Sequence, residues 1–101
     1  MIVQEFVREH VAQTKQGREQ LAQLFAELGL HYWPSQTNFV LVRIGPSAKM
    51  FMESMRQRGI LVRDSSGNPG CEGCVRITVG TPPQMERVLR AIREAVEETR
   101  R

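Results

Sequence analysis

The stretch Cys74-Val75-Arg76-Ile77-Thr78-Val79 decides how this chain folds. Strict alternation puts Val75, Ile77 and Val79 on one side of a β-strand and Arg76 and Thr78 on the other. The run Ile60-Leu61-Val62-Arg63-Asp64 alternates in the same way, with Ile60 and Val62 set against Leu61 and Arg63. Between the two lies Ser65-Ser66-Gly67-Asn68-Pro69-Gly70-Cys71-Glu72-Gly73, dense in turn formers. A hairpin is the economical reading, and pairing its strands carries Arg63 and Arg76 to the same side of a small sheet. Two guanidinium groups without an acidic partner in register are suited to binding a carboxylate or phosphate in bidentate fashion.

Upstream, Asn38 to Ile44 reads as a further strand, with Val40, Val42 and Ile44 facing one way and Phe39, Leu41 and Arg43 the other. Pro46 and Ser47 open a helix that ends at Gly59, with Phe51 and Met55 spaced i, i+4. Thr81-Pro82-Pro83-Gln84 has the spacing of a capping box with proline at the first helical position. Met85, Val88, Leu89, Ile92 and Val96 then form a helical stripe. Residues 2 to 28 also read as helix, closed by Gly29 as a C-terminal cap. One stripe is Ile2, Val3, Phe6, Val7 and Val11; a second is Leu21, Leu24, Phe25 and Leu28. The polar run Thr14 to Gln20 between them marks a break or a solvated stretch. His31 to Ser35 is a connector with room for a short strand, in which Tyr32 and Trp33 cover the end of the sheet.

These elements specify an α+β protein. The architecture is a two-layer α/β sandwich, with a small three-stranded mixed sheet, helices on one face and a long N-terminal helix. The 74–79 strand is central. Residues 1–28 form an interdomain or association helix and 29–101 the compact unit. The valine and isoleucine face lies under the helices. The other face, with Phe39, Leu41, Arg43, Leu61, Arg63, Arg76 and Thr78, is half apolar and half cationic, as expected of a surface that meets a partner or lines a cleft.

Composition narrows the function classes. The 101 residues fit one domain, with 41% hydrophobic and 25% charged residues and a net charge of +3. No basic stripe interleaved with aromatics argues for nucleic acid. No segment approaches a membrane span, and the opening Met1-Ile2-Val3-Gln4-Glu5-Phe6 lacks the basic and apolar regions of a signal peptide. The two cysteines, Cys71 and Cys74, fit a reducing, cytoplasmic compartment. They amount to half a zinc site, and His10 and His31 lie far away in sequence, so structural loop cysteines and no metal are expected.

Three motifs together resemble the carboxyl-terminal small domain of the fold-type-I, pyridoxal-phosphate-dependent aminotransferases, most of all the histidinol-phosphate aminotransferases. They are Pro34-Ser35-Gln36-Thr37-Asn38-Phe39-Val40-Leu41, Arg58-Gly59-Ile60-Leu61-Val62-Arg63-Asp64 and Cys74-Val75-Arg76-Ile77-Thr78-Val79-Gly80-Thr81. The resemblance runs from about residue 7 to about residue 97. It implies transfer of the amino group of glutamate, through the cofactor, to imidazole acetol phosphate. It also implies that Arg76 takes the anionic group of the substrate, with Arg63 as a second arginine beside it. No catalytic residue and no cofactor-binding residue is carried over. Such enzymes need a Schiff-base lysine, and the only lysines here, Lys15 and Lys49, lie in other settings. The chain therefore reads as the small domain without its large domain, not expected to hold pyridoxal phosphate or to transaminate by itself. The alternative class is a stand-alone ferredoxin-like module that binds a ligand or regulates without catalysis. A homo-oligomer formed through Ile2, Val3, Phe6, Val7 and Val11 is the expected association.

Overall fold

A computed structural model describes residues 2–35 and 37–100 and, along 2–10, the path of the backbone alone. The alternating residues around Val40 and around Val75 form strands where they were expected, and the elements run α1 (Ile2–Glu27), β1 (Tyr32–Trp33), β2 (Phe39–Arg43), α2 (Ala48–Gln57), β3 (Arg63–Asp64), β4 (Cys74–Thr78) and α3 (Pro82–Thr99). The sheet order is β1-β2-β4-β3, so the 74–78 strand lies between the other two long-range partners, as its sequence required.

The sheet differs from the sequence reading of a three-stranded mixed sheet in its strand count and in the length of β3, while the antiparallel pairing of the 74–78 strand with both neighbours is as expected. The sheet has four strands, because Tyr32 and Trp33 pair with Val42 and Leu41 along the free edge of β2. Each neighbouring pair is antiparallel. The two strands that run parallel, β2 and β3, are joined by the α2 crossover but separated by β4, so no parallel ladder forms. Strand β3 is also shorter than the expected Ile60 to Asp64. Only Arg63 and Asp64 reach β4, opposite Arg76 and Val75. Upstream of them a cleft of about 300 Å³, lined by Gly59, Ile60, Leu61, Thr78, Val79, Gly80 and Gln84, separates the two segments.

Val40, Val42, Val75 and Ile77 form the inner face and are at most 2% exposed. Onto them α2 lays Phe51 and Met55, and α3 lays Met85, Val88, Ala91, Ile92, Ala95 and Val96. Burying one such large side chain is worth about 1.5–3 kcal/mol. Gln84 Oε1 accepts the Thr81 N–H at 2.8 Å, which fixes the start of α3. Arg58, just past α2, donates to Glu94 Oε2 at 3.0 Å and Glu98 Oε1 at 2.6 Å, tying α2 to α3.

Helix α1 runs unbroken through the polar stretch Thr14 to Gln20. The reason is packing. Gly17 is buried, and a Cβ there would overlap the Val79 side chain, so this turn rides directly on the end of β4. Next to it, Arg18 donates to the Thr37 carbonyl at 2.8 Å. Leu21, Leu24 and Phe25 then enter the same core as the other helices. Of the first stripe, Ile2, Val3, Phe6 and Val7 lie outside the residues whose side chains are described, while Val11 is 59% exposed.

Among the described residues, no helix is long and apolar enough to cross a membrane.

Candidate functional site

The outer face of the sheet is set by the same alternation that builds the core. Register puts Arg63 directly opposite Arg76, and Leu41 opposite Arg76 on its other side. The two arginines predicted from sequence are therefore brought together as a cross-strand pair. Side chains so placed lie about 4.5–5.5 Å apart at Cβ, and like charges in that position repel. Neither arginine has an acidic partner among the described residues. Asp64, next in the chain, sits opposite Val75, in the inward phase. Its carboxylate accepts the Ser66 N–H at 2.8 Å, and that backbone hydrogen bond holds its pKa below the ordinary carboxylate value. It is thus committed elsewhere. Arg63 is exposed and Arg76 half-buried. The pair is an uncompensated dicationic spot, and a carboxylate or phosphate placed between the guanidiniums would relieve the repulsion and gain charge-assisted hydrogen bonds.

Sequence reasoning missed how the aromatics support this face. Phe39 lies opposite Thr78, which makes it the diagonal neighbour of Arg76, and the Arg76 Cζ sits 4.5 Å from the Phe39 ring centroid. Trp33, read as cover for the sheet end, lies in line with Leu41 and Arg76, and the Arg43 Cζ sits 5.2 Å from its ring. His31 meets that indole edge-on at 4.6 Å. The signal was present in the shared alternation phase of Phe39, Leu41 and Arg76, but the diagonal contact follows only from the register.

The 65–73 loop closes on the same edge. Arg43 donates to the Gly70 carbonyl at 2.8 Å. The turn Cys71-Glu72-Gly73-Cys74 is closed by the Cys74 N–H on the Cys71 carbonyl at 3.0 Å. Both cysteines are free thiols, Cys74 buried and Cys71 half-buried. No cluster of three metal-ligating side chains occurs among the described residues. Among the described residues, two concavities of about 530 Å³ lie on the helix side. One, between α1 and β1, is lined by Lys15, Arg18, Glu19, Tyr32, Pro34 and Ser35 and shares no residue with the arginine face.

The residues present do not fit pyridoxal phosphate. A Schiff-base lysine is activated by desolvation or by a neighbouring cation, whereas Lys15 and Lys49 are both exposed. The only aspartate available to a pyridine nitrogen is Asp64, already bound to Ser66.

Comparison with known proteins shows the family. The family described as aminotransferase class I and II matches residues 1–92. The chain is 42% identical over 96 residues to a histidinol-phosphate aminotransferase of Geobacillus sp. (strain WCH70), covering 94% of this chain and 26% of that protein. It is similar in structure to the histidinol-phosphate aminotransferase of Sinorhizobium meliloti, solved with pyridoxal-5'-phosphate, at a TM-score of 0.81 and 26% identity over 94% of this chain and 27% of that one. It is also similar to the L-threonine-O-3-phosphate decarboxylase of Porphyromonas gingivalis, at a TM-score of 0.72 and 28% identity over 90% of this chain and 28% of that one. The chain thus spans about a quarter of the length of the relatives it matches.

Proposed function

Because the chain belongs to the aminotransferase class I and II family, we propose that it forms the substrate-anion side of such an enzyme, acting on glutamate and imidazole acetol phosphate. The observation that carries this reading is the cross-strand pair Arg63 and Arg76 on an open face. Arg76 takes the carboxylate of glutamate in one half-reaction and the phosphate of histidinol phosphate in the other. Arg63 adds a second guanidinium, which matters more for the phosphate because it presents more oxygens. Both groups stay charged at any working pH. Pyridoxal phosphate, the electron sink for amino transfer, is in this reading held outside this chain. The lysine, the pyridine partner and the phosphate cup belong in this reading to a large domain that faces the outer side of the sheet. The 1–28 helix then serves as an interdomain and association element through Ile2, Val3, Phe6, Val7 and Val11. The compartment is the cytoplasm.

The likeness to a phosphothreonine decarboxylase favours a second reading with the same anion chemistry. In it the phosphate is held by the same arginines, and the substrate keeps its amino group, loses its carboxyl group as carbon dioxide and takes a proton at Cα in its place.

Replacing the matching segment of the Geobacillus relative with this chain tests both. The chimera is expected to carry out glutamate-dependent amination of imidazole acetol phosphate. A folded, cofactor-loaded chimera that ignores glutamate but decarboxylates phosphothreonine would favour the second reading. One that does neither would overturn both.

A further inference from the structure

We infer that Phe39 is a positioning residue for Arg76, one whose ring holds the guanidinium ready for an anion; this rests on the reading of Arg76 as an anion ligand. Arg76 stands directly opposite Arg63, and the repulsion of two like charges pushes their flexible side chains apart. Something must hold Arg76 over the sheet. Its Cζ lies 4.5 Å from the Phe39 centroid, on the diagonal set by the Phe39↔Thr78 and Leu41↔Arg76 register. An aromatic face attracts the cation and takes up none of its five N–H donors.

The neighbouring arginines show the contrast. Arg43 also lies against a ring, that of Trp33, but donates to the Gly70 carbonyl. Arg58 is committed to Glu94, Glu98 and Ser54. Arg76 alone of these three is held by a ring with no hydrogen bond or ion pair to another described residue. Phe39 is half-buried and lies outside the core cluster under the helices, so its side chain is not needed to fill that core. The ring pre-orders Arg76 and removes part of the entropy cost that an anion would otherwise meet on binding.

The test uses the 101-residue chain with labelled arginine side chains. The Arg76 Nε–H resonance is followed by NMR during titration with inorganic phosphate, and its relaxation is recorded without phosphate. Replacing Phe39 with leucine keeps apolar bulk and removes the ring; Phe39→Tyr keeps the ring. Phe39→Leu is expected to weaken phosphate binding about two- to tenfold, the equivalent of immobilising one rotamer-rich side chain. It should also make the Arg76 Nε–H more mobile before any anion is added. Phe39→Tyr should retain both wild-type properties. Phe39→Met replaces Phe39→Leu in the same comparison should the latter not fold. If Phe39→Leu leaves affinity and Arg76 mobility at wild-type values, or if Phe39→Tyr weakens binding equally, the positioning role is overturned. If phosphate does not shift Arg76 in the wild-type chain, while the relaxation data show it ordered by Phe39, the anion reading itself fails and the inference falls with it.

Discussion

Gly73 is a position at which the fold that carries the arginines is easily broken. Its φ is +75°, in the left-handed region, and an added Cβ would lie 2.7 Å from both the Cα and the carbonyl oxygen of Gly45. The backbone cannot retreat, because the Gly73 carbonyl accepts the Ile44 N–H at 2.8 Å and the Gly45 N–H at 3.0 Å. A left-handed alanine costs about 1–2 kcal/mol, and overpacking against a fixed neighbour about 1–3 kcal/mol. Together that is about 2–5 kcal/mol for Gly73→Ala, which lowers Tm by roughly 8–40 °C in a domain of this size. Gly70 supplies the control. It has φ +76° but open space around its missing Cβ, so Gly70→Ala carries the conformational cost alone, about 1–2 kcal/mol. Thermal unfolding followed by circular dichroism compares the two. Equal losses in Gly73→Ala and Gly70→Ala would show that the Gly45 contact contributes nothing, and the reasoning would be refuted.

Relieving the arginine pair should stabilise the fold while weakening its chemistry. Arg63→Gln is expected to raise Tm at low ionic strength, by about 1–8 °C from a cross-strand repulsion of about 0.2–1 kcal/mol, with the gain fading in salt; a fall in Tm would argue against repulsion. Asp64 has its folded pKa below the ordinary 3.8 because of the Ser66 N–H, so its contribution is present above that value and is lost as pH falls through the lowered one. The Tm gap between the wild-type chain and Asp64→Asn should therefore close below pH 3.8; a gap that widens on acidification would contradict the assignment. Association through the first helical stripe predicts concentration-dependent sedimentation that disappears when residues 1–13 are deleted; a strict monomer in both forms would remove the proposal.

Much of the fold was legible because β-branched alternation and helical periodicity report burial directly. Val75 and Ile77 could face only inward, and Thr81 to Gln84 could only start a helix. What the sequence hid were close approaches and register. Gly17 reads as a helix breaker in a polar run, yet its missing side chain is what lets α1 rest on Val79. Tyr32 and Trp33 make a strand of two residues, too short for alternation to reveal, and exist as one because β2 offers a free edge. Ile60 to Val62 alternate like a strand but remain unpaired, because pairing depends on how far the crossover carries the chain from β4. At the site, Arg63 and Arg76 were legible as residue types on one face. The contact of Phe39 with Arg76 was not, since a diagonal neighbour is fixed by register and not by spacing along either strand.

The most direct test of the account is Arg76→Ala in the chimera with the large domain of the Geobacillus relative, with each half-reaction measured by single turnover. Loss of a charge-assisted contact of about 1.5–3 kcal/mol corresponds to about ten- to a hundredfold weaker binding. The account predicts that loss for both glutamate and histidinol phosphate, because one arginine serves both, with Arg63→Ala weakening the phosphorylated substrate more than glutamate. Arg76→Ala leaving both half-reactions within about twofold of the unmutated chimera, a change of less than about 0.5 kcal/mol, would contradict it.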